Sequence, residues 1–478
     1  MPEGSPASEE ELPWERDRKR VAPRVPHLVL AWSLDEPERL GESIAVDRRL
    51  TVGRGGPLAD DPAPRAVPVR FRPGEVRPCD PIDCSRIARV HLTAEPKDGG
   101  IRLRSLARAE LRIDGRTETD GIAREGDVVE LHNAAVFLVV SRPKTPAPFR
   151  GDPPVFSFGS ADPFGIVGES EAAWALRESL AFAAGTSRHV LLFGESGAGK
   201  ELAARALHGL SNRARRPLVS RSAATLPASL VDAELFGNAK NYPNAGMPER
   251  PGLLGEADGS TLFLDEIGEL PESSQTHLLR VLDGGGEYTR LGESQSRASA
   301  FRLVAATNRD ESALKHDVLA RFTHRITVPG LANRREDVPL VLRALLARIA
   351  AENPSIASRF FERRRGVLAE AKIAPSFVVR LLRHRFSHHV RELDRLTWLA
   401  IGSAEDDYIG VTEAVDAELD DADSGGHAEI TKDALEKAIA ELGHRPTQLT
   451  KALGLKNRYV LHRLLKKHGL SEPRGGDG

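Results

Sequence analysis

Residues 189–210, HVLLFGESGAGKELAARALHGL, decide the fold of the central part of the chain. The apolar run before Gly194 predicts a buried strand, and ELAARALHGL has the apolar spacing of a helix. Between them, Gly194, Gly199 and Lys200 keep the G-x-x-x-x-G-K spacing, in which backbone N–H groups and a lysine surround phosphate oxygens at a helix N-terminus. A Gly-rich turn without function is the alternative, and the flanking strand and helix argue against it. The stretch therefore predicts an α/β domain that binds a nucleotide.

The predicted phosphate-binding loop runs into the first turn of the helix. Its members are Gly194, Glu195, Ser196, Gly197, Ala198, Gly199, Lys200 and Glu201. Glu201 stands where such loops carry a Ser or Thr hydroxyl that binds Mg²⁺. Mg²⁺ is therefore expected with the nucleotide, but one of its usual ligands is replaced.

Two further apolar runs end in polar residues. TLFLDE ends in Asp265, expected to hold the Mg²⁺ shell, and Glu266, expected to polarise the attacking water. LVAATN ends in Asn308, an uncharged donor for the γ-phosphate. Arg321 in LARF and Arg391 in HHVREL are candidates for stabilising the charge on the transferred phosphoryl group. The alternative for Asp265 and Glu266 is that they are solvated residues at the end of a buried strand. The alternative for each arginine is an ordinary surface position.

Composition places the chain among soluble globular proteins. It has 478 residues, 40% apolar and 28% charged, with a formal net charge of −2. This length predicts about three domains, and no apolar run approaches the roughly 18 residues that span a bilayer. The polar, acidic N-terminus lacks a signal-peptide pattern. Cys79 and Cys84 are expected to be reduced thiols, so a cytoplasmic location is expected.

Composition also changes along the chain. Short strand-like runs separated by turn residues recur up to residue 142, as in a β-sandwich. Apolar runs then alternate with helical stretches, as in a parallel α/β sheet, whereas 334–402 has helical patterns only. The predicted segments are a disordered N-terminus (1–26), a β-sandwich (27–142), a Pro-rich linker (143–163), an α/β subdomain (164–330), a helical lid (331–402), an acidic linker (403–428) and a helical C-terminal domain (429–478).

Six segments, in this order, resemble the AAA+ central domain of bacterial enhancer-binding proteins, the sigma-54-dependent transcriptional activators. They are GESGAGKELAARALH, AELFG, STLFLDEIGELPESSQTHLLRVL, LVAATNRD, RREDVPL and VRELDRL, and they cover about residues 165–402. The resemblance implies an oligomeric ring that hydrolyses ATP at subunit interfaces. One subunit would supply Lys200, Asp265, Glu266 and Asn308. Its neighbour would supply Arg321, and Arg391 would be the sensor arginine of the lid.

The segment after AELFG departs from this family. Relatives carry a loop that reads GAFTGA and contacts sigma-54 through its Phe and Thr, whereas residues 241–246 read NYPNAG. Pro243 takes the Phe position and Asn244 the Thr position, with Tyr242 beside them. Two interpretations stay open. Tyr242 supplies a displaced aromatic contact, or the loop has lost its contact with sigma-54.

Two further positions differ from the family. Ser222 stands where relatives have an asparagine that restrains the catalytic glutamate, and it reaches less far. Lys315 stands where relatives have a first interface arginine. Lysine keeps the charge but loses the fork that binds phosphate bidentately. Hydrolysis is still expected, while its coupling to sigma-54 is left open.

The N-terminal region resembles a forkhead-associated (FHA) domain, a phosphothreonine reader. Arg54 in VGRG and Arg89 in IARVHLTAE match family positions and are the expected phosphopeptide contacts. Ala88 replaces a family serine and removes a donor, and Asp114 replaces an asparagine with a carboxylate that repels phosphate. Two interpretations stay open: an FHA fold whose phosphopeptide binding is weakened, absent or altered, or an unrelated small β-sandwich.

The C-terminal segment 431–470 predicts helix, turn and helix, and resembles the Fis-type helix-turn-helix that ends the chains of this family. KNRYVLHRLLKKHG would be the recognition helix, whose first residues reach base edges while later basic residues contact phosphates. The predicted DNA contacts are Lys456, Asn457, Arg458, Arg463, Lys466 and Lys467. The alternative is an amphipathic helix with a solvated basic face.

Three functions follow from these patterns. The first is a regulator that binds enhancer DNA, hydrolyses ATP and remodels sigma-54 RNA polymerase, with a phosphoprotein as input and no membrane contact. The second is a DNA-binding AAA+ regulator that no longer contacts sigma-54. The third is a scaffold with an inactive ATPase, and the complete set of nucleotide-site residues argues against it.

Overall fold

The computed structural model describes residues 23–283, 285–308, 316–364 and 367–424, together with residues 435, 437–439, 449 and 465. The chain forms two compact units, residues 1–163 with 167–178, and residues 164–166 with 179–478. In these described ranges, no helix combines the length and apolar character needed to cross a membrane. The residues predicted to contact DNA lie outside the described residues, as does Lys315; the DNA contacts are Lys456, Asn457, Arg458, Arg463, Lys466 and Lys467.

The first unit contains two antiparallel sheets whose apolar residues share one core. Its strands are β1 (Arg24–Ser33), β2 (Ser43–Ala45), β3 (Leu50–Val52), β4 (Val69–Arg72), β5 (Glu75–Pro78), β6 (Leu92–Lys97), β7 (Gly100–Ser105), β8 (Leu111–Ile113), β9 (Arg116–Glu118), β10 (Asp120–Ala123), β11 (Val128–Leu131) and β12 (Ala135–Pro143). The eight-stranded sheet has the order β5-β4-β2-β1-β12-β11-β8-β9, and the four-stranded sheet has the order β10-β7-β6-β3. The predicted strand-rich N-terminal region is confirmed.

Two Asp-Gly pairs close hairpins in this unit. Asp98 and Gly99 join β6 to β7 with φ values of 49° and 76°, and Asp114 and Gly115 join β8 to β9 with 46° and 82°. Positive φ at both central residues is the turn geometry that matches strand twist, and Asp-Gly favours it. β1 begins at Arg24, so the last residues of the terminus predicted to be disordered (1–26) form a strand instead.

The segment predicted as a Pro-rich linker, 143–163, packs against other parts of the first unit. The ring of Phe156 stacks on Trp174 at 5.6 Å, and the guanidinium of Arg72 lies 4.4 Å from the Phe156 ring centre. Arg72 Nε also donates to Glu169 Oε2 at 2.9 Å. Contacts of Phe156 with Trp174 and Arg72 therefore hold this segment on the first unit.

The second unit is built on a parallel sheet of five strands, as predicted for the central region. These strands are β13 (Val190–Phe193), β14 (Val219–Ser222), β15 (Thr261–Asp265), β18 (Arg302–Thr307) and β19 (His324–Thr327), in the order β14-β15-β18-β13-β19. A two-stranded sheet of β16 (Glu287–Thr289) and β17 (Ser296–Ala298) lies between β15 and β18 in the chain. Helix α1 (Glu171–Ala184) begins in the first unit and its residues from 179 on belong to the second. The other helices of this part are α2 (Lys200–Gly209), α3 (Val231–Phe236), α4 (Gly252–Glu256), α5 (Glu272–Asp283) and α6 (His316–Ala320).

The apolar runs become central strands because both of their faces are covered. Every residue of β18 is buried, as are the first four residues of β15. Continuous apolar runs of this kind are typical of strands inside a parallel sheet. Parallel strands bring their carboxyl ends to one edge, so the loops after β13, β15 and β18 meet there.

The region after β19 forms the lid. Its elements are α7 (Val338–Glu352), α8 (Pro354–Phe360), β20 (Phe361–Arg364), β21 (Val367–Ala371), α9 (Pro375–Arg383), α10 (His389–Gly402) and α11 (Glu413–Ser424). The prediction of helices only was wrong for β20 and β21, which pair antiparallel, because strand pairing overrides the helix propensity of their Arg, Ala and Glu residues. α11 lies inside the segment predicted to be an acidic linker.

Candidate nucleotide site

Three neighbouring strands deliver the predicted site residues to one edge of the sheet. β13 leads into the loop 194–199, β15 ends at Asp265, and β18 is followed by Asn308. The register places Phe193 opposite Thr307 and Leu264 opposite Ala305.

Lys200 is the first residue of α2, and its side chain lies inside the loop. Nζ donates to the carbonyl of Gly194 at 2.8 Å and to that of Glu195 at 3.4 Å. It also lies 3.6 Å from Glu266 Oε1, and the Lys200 side chain is only 7% exposed. The positive charge is therefore fixed at the centre of the loop, beside the carboxylate of Glu266.

The glycines of the loop leave room at the N-terminus of α2. Gly197 and Gly199 have φ values of 85° and 104°, which side chains rarely adopt. Apart from its neighbours in the chain, no atom lies within 4 Å of the position that a Cβ on Gly199 would take. Since this open position caps a helix that begins with a lysine, the loop fits phosphate oxygens.

Asp265, Glu266 and Asn308 come together as the sequence predicts. The Glu266 N–H donates to Asp265 Oδ1 at 3.0 Å, and the Asn308 N–H donates to Glu266 Oε2 at 3.2 Å. Glu266 has a φ of 53°, a left-handed conformation that is uncommon for a glutamate and is often found at functional sites. Ser222 pairs with Asp265 in the register of β14 and β15, one residue away from Glu266.

The acids of the site fit Mg²⁺ only in part. Glu201 pairs with Arg205 at 2.6 Å on the outer face of α2, where both side chains are 60% exposed. Within the described ranges, no group of three or more His, Cys, Asp and Glu side chains could hold a metal. Asp265 is thus the best-placed ligand, and Mg²⁺ commonly uses one or two carboxylates together with substrate phosphates and water.

The lid meets the loop at the start of α10. Arg391 Nη1 donates to Ser196 Oγ at 2.7 Å, and the Val390 N–H donates to the Gly197 carbonyl at 3.3 Å. A Cβ on Gly197 would lie 2.3 Å from the carbonyl oxygen of His388, so only glycine allows this approach. The structure therefore brings Arg391 to the loop.

His389 was missed by sequence reasoning, although it lies beside Arg391 in HHVREL. Its side chain is 3% exposed, and Nε2 lies 3.0 Å from Glu195 Oε2. Its φ is 49°, and a Cβ on Gly330 would lie 2.2 Å from its ring. Burial lowers the pKa of His389, while Glu195 and Glu392 oppose this shift and Arg334 adds to it. In the sequence, only the pair of histidines before VREL indicates that His389 could have a role at the site.

Arg321 has a partner in its own chain. Its Nη2 donates to Asp283 Oδ2 at 2.7 Å, and this hydrogen bond raises the pKa of Arg321. Among the described residues, Arg321 makes no contact with the loop 194–199. The arrangement leaves this arginine at the surface, with 42% of its side chain exposed.

The predicted sigma-contact residues lie in an exposed loop between α3 and α4. Tyr242, Pro243 and Asn244 are all exposed, and Tyr242 is exposed to 41%.

The predicted phosphopeptide residues meet at the turn after β3. The Arg54 N–H donates to the Ala88 carbonyl at 3.0 Å, and the Ala88 N–H donates to His91 Nδ1 at 3.1 Å. Burial lowers the pKa of His91, which is 1% exposed. Arg89 is exposed and accepts a hydrogen bond from Arg65 on its carbonyl. His91 thus holds the backbone of this turn, while Arg89 faces solvent.

Comparison with known proteins identifies the central region. A family model described as the Sigma-54 interaction domain matches residues 166–330. The transcriptional regulatory protein ZraR of Klebsiella oxytoca is 34% identical over 317 residues, which cover 63% of this chain and 68% of ZraR. The DNA-binding transcriptional regulator NtrC of Azospirillum brasilense is 36% identical over 263 residues, which cover 54% of this chain and 51% of NtrC.

A solved structure of NtrX from Brucella abortus, in complex with ADP, matches with 29% identity and a TM-score of 0.45, over 65% of this chain and 70% of NtrX. The AAA+ fold of residues 166–330 and the identity to ZraR lead to one assignment. The chain belongs to the family of sigma-54-dependent transcriptional regulators.

Proposed function

We propose that this chain is an ATP-driven activator that binds enhancer DNA and remodels sigma-54 RNA polymerase. The observation that carries the proposal is that Lys200 and the lid residue Arg391 contact one glycine-rich loop, while Glu266 lies beside Lys200 and accepts the N–H of Asn308. A scaffold without catalysis has no need for this arrangement of charge.

The residues of the site suggest how ATP is cleaved. The loop N–H groups and Lys200 would hold the β- and γ-phosphates, and Asp265 would hold Mg²⁺, which neutralises phosphate charge. Glu266 would orient the attacking water and accept its proton. The Glu266 carboxylate accepts the N–H of Asn308 at 3.2 Å. Because Asn308 directly follows β18, loss of the γ-phosphate would move Glu266 and, through this hydrogen bond, the end of β18.

Arg321 completes the site from a neighbouring subunit in this proposal. An arginine that stabilises the transferred phosphoryl group increases the rate by about 10³–10⁵-fold. Its exposed position and its bond to Asp283 support a role outside its own nucleotide site. We propose that the active form is a homo-oligomeric ring in the cytoplasm.

The flanking regions supply input and DNA binding in the same proposal. The antiparallel sheets of the first unit support an FHA-like input domain, with Arg54 and Arg89 as candidate contacts for a phosphoprotein. Residues 429–478 are proposed to bind DNA as a Fis-type helix-turn-helix. Deletion of 429–478 is then expected to abolish specific operator footprints while leaving the ATPase rate within about twofold, since the two sites are separate.

A second function is favoured by one observation. Residues 241–246 lack the Phe and Thr through which relatives contact sigma-54. In this alternative the chain is a DNA-binding AAA+ regulator that hydrolyses ATP without contacting sigma-54.

The nucleotide site is tested with the full chain. Lys200→Ala is expected to abolish ATP binding, and Glu266→Gln is expected to bind ATP while turnover falls by at least about 10²-fold. Arg205→Ala, on the exposed face of α2, is the control that should change neither. Normal ATP binding by Lys200→Ala would overturn the assignment.

A pull-down separates the two functions. Wild-type protein with ADP and aluminium fluoride is mixed with purified sigma-54, and the retained sigma-54 is measured. Capture supports the activator, and hydrolysis without capture supports the alternative.

A further inference from the structure

One face of the hairpin formed by β4 and β5 carries arginines that oppose each other. Side chains alternate along β4, so Phe71 is buried in the core while Arg70 and Arg72 lie on the other face. The register places Arg70 directly opposite Arg77 and Arg72 directly opposite Glu75. Like charges in directly opposite positions on neighbouring strands are unfavourable. The pair of Arg70 and Arg77 therefore destabilises the hairpin unless a negative group lies near both guanidinium groups.

The segment 156–158 lies against this face of the hairpin and forms a cleft with it. The cavity has a volume of about 270 Å³ and is lined by the three arginines, by Glu75 and by residues 156–158. All of these residues belong to the first unit. Sites for small molecules have volumes of about 300–1,000 Å³. The cleft is therefore close to the lower end of that range, and it has room for a small ligand.

Arg72 forms a fixed wall of the cleft. Its Nε and Nη2 donate to the Glu169 carboxylate at 2.9 and 2.5 Å, and its Nη1 donates to the Phe156 carbonyl at 3.0 Å. Glu169 is 2% exposed and does not line the cleft. The charge of Arg72 is thus balanced by an acid that a ligand in the cleft does not meet.

Arg70 is held in place but keeps one nitrogen for a ligand. Its Nε and Nη2 each lie 3.1 Å from Glu42 Oε1, and Glu42 is 3% exposed. The ring centre of Phe158 lies 5.2 Å from the Arg70 guanidinium and 5.4 Å from that of Arg72. Among the described residues, none accepts a hydrogen bond from Arg70 Nη1. This nitrogen is therefore available while the rest of the guanidinium is fixed.

Arg77 is the exposed arginine of the cleft. It lies on β5, an edge strand of the eight-stranded sheet whose four residues are all exposed. Within the described part of the chain, its guanidinium makes no hydrogen bond and no ion pair. Glu75, the acid that lines the cleft, is opposite Arg72 in the register and not opposite Arg77. Arg77 therefore offers N–H donors and a charge that no described residue balances.

We propose that this cleft binds the phosphate group of a small phosphorylated molecule, with Arg77 and Arg70 Nη1 as the main donors. A guanidinium donates two parallel N–H bonds to a carboxylate or a phosphate. One guanidinium uses both oxygens of a carboxylate, whereas a phosphate ester has a third oxygen for an arginine on the opposite strand. Ser157 adds a neutral hydroxyl donor to the same cavity. Because Arg70 is already oriented, binding costs less side-chain ordering.

The cleft is separate from the other anion sites proposed for this chain. Arg54 and Arg89 meet at the turn after β3, which belongs to the four-stranded sheet, whereas β4 and β5 belong to the eight-stranded sheet. The nucleotide loop 194–199 lies in the second unit. The inference therefore goes beyond the proposed function and does not depend on it. It gives the first unit a small molecule as an input.

Calorimetric titration of the full chain tests the site. Saturating ADP occupies the nucleotide loop, and inorganic phosphate, methyl phosphate and acetate are titrated at constant ionic strength. Both phosphates should bind to the wild type, and acetate should bind at least about tenfold more weakly. Arg77→Gln should weaken the binding of both phosphates at least about tenfold. Arg77→Lys should weaken it less, because lysine keeps the charge and loses only the fork.

Arg116→Gln is the matched control. Arg116 is exposed on β9, the opposite edge strand of the same sheet, so this variant removes the same charge away from the cleft. Its phosphate affinity should stay within about twofold of wild type. Glu75→Gln removes the carboxylate that repels phosphate in the cleft, and should tighten binding by about twofold to fivefold. Urea unfolding followed by tryptophan fluorescence should show no loss of stability in Arg77→Gln, because Arg77 has no described partner to lose.

Four results would overturn the inference. Neither phosphate binds to the wild type when ADP is present, which removes the site. Arg116→Gln weakens binding as much as Arg77→Gln, which shows that net charge and not the cleft attracts the anion. Acetate binds as tightly as the phosphates, which removes the preference for phosphate. Inorganic phosphate binds but methyl phosphate does not, which leaves a site for a free ion and not for a phosphorylated molecule.

Discussion

His389 joins the lid to the nucleotide loop through one hydrogen bond and one buried ring. Because Nε2 faces the carboxylate of Glu195, the neutral ring must donate from Nε2. Nδ1 is then an acceptor, and it is buried without a partner. Protonation would bury an N–H there with nothing to accept it, while Glu195, at 70% exposure, is largely screened by solvent. Burial therefore outweighs the attraction of the charged ring to Glu195, and the pKa of His389 is lowered.

The lowered pKa makes the contact between the lid and the loop depend on pH. Contact with the loop takes His389 from its ordinary pKa of 6.5 to a lower value, so the lid in contact binds fewer protons than a lid whose His389 lies in water. The stabilisation of this contact is fully present above pH 6.5 and is lost as the pH falls through the lowered value. Arg334 favours the neutral ring, whereas Glu195 and Glu392, itself paired with His384 at 2.8 Å, favour the charged one.

Replacing His389 by Asn should remove this dependence. Asparagine tolerates the left-handed φ and keeps a neutral donor, but it does not titrate. We expect ATP affinity of the wild type to fall below pH 6.5 by up to about tenfold per pH unit, and that of His389→Asn to fall less. Fluorescence titration with a labelled ATP analogue measures both curves. Parallel curves would show that His389 does not titrate with lid closure.

Sequence reasoning found the residues whose spacing is set within one strand and its loop. Asp265 and Glu266 end an apolar run, and Lys200 follows one after the loop 194–199, so their positions at the sheet edge could be predicted. His389 could not, because its contact with Glu195 joins segments almost two hundred residues apart and depends on how the lid packs.

At the scale of elements, the segment before α1 is held by a buried carboxylate. Glu169 is 2% exposed, pairs with Arg72 at 2.5 Å, and accepts the Trp174 indole N–H at 3.1 Å and the Gly159 N–H at 2.8 Å. Its side chain thus joins β4, the segment 144–163 and the first turn of α1. Sequence periodicity could not predict this, because the segment has no helix or strand pattern of its own.

Removing the Glu169 carboxylate should lower the free energy of unfolding. Glu169→Ala removes the carboxylate that accepts from Arg72 Nε and from the Trp174 N–H, and breaking a buried pair in this way costs about 3–5 kcal/mol. The control is Glu171→Ala, which breaks an exposed pair with Arg24, at 42% and 45% exposure, and should cost less than about 1 kcal/mol. Urea unfolding followed by tryptophan fluorescence measures both. Equal losses would show that Glu169 does not hold the segment.

At the scale of the whole molecule, the predicted catalytic residues fall into two groups. One group lies at the nucleotide loop of its own chain, and the other lies at the surface of the chain. Lys200, Glu266 and Arg391 contact one loop, whereas Arg321 is paired with Asp283 at the surface. A ring in which each subunit presents one surface to the next uses a head-to-tail interface. Such an interface would place Arg321 of one subunit at the nucleotide of its neighbour.

Mixing two inactive variants tests this division. Arg321→Ala lacks the arginine but keeps Glu266, and Glu266→Gln has the reverse defect, so each alone should lose at least about 10²-fold in ATPase rate. In an equimolar mixture that assembles at random, about one quarter of interfaces join an intact Glu266 to an intact Arg321. We therefore expect the mixture to recover up to about one quarter of wild-type activity. A mixture of Lys200→Ala with Glu266→Gln is the control, and it should stay inactive because both residues belong to the site of the same subunit. If the first mixture stays inactive although mixed oligomers are found by native mass spectrometry, Arg321 does not act on the neighbouring subunit.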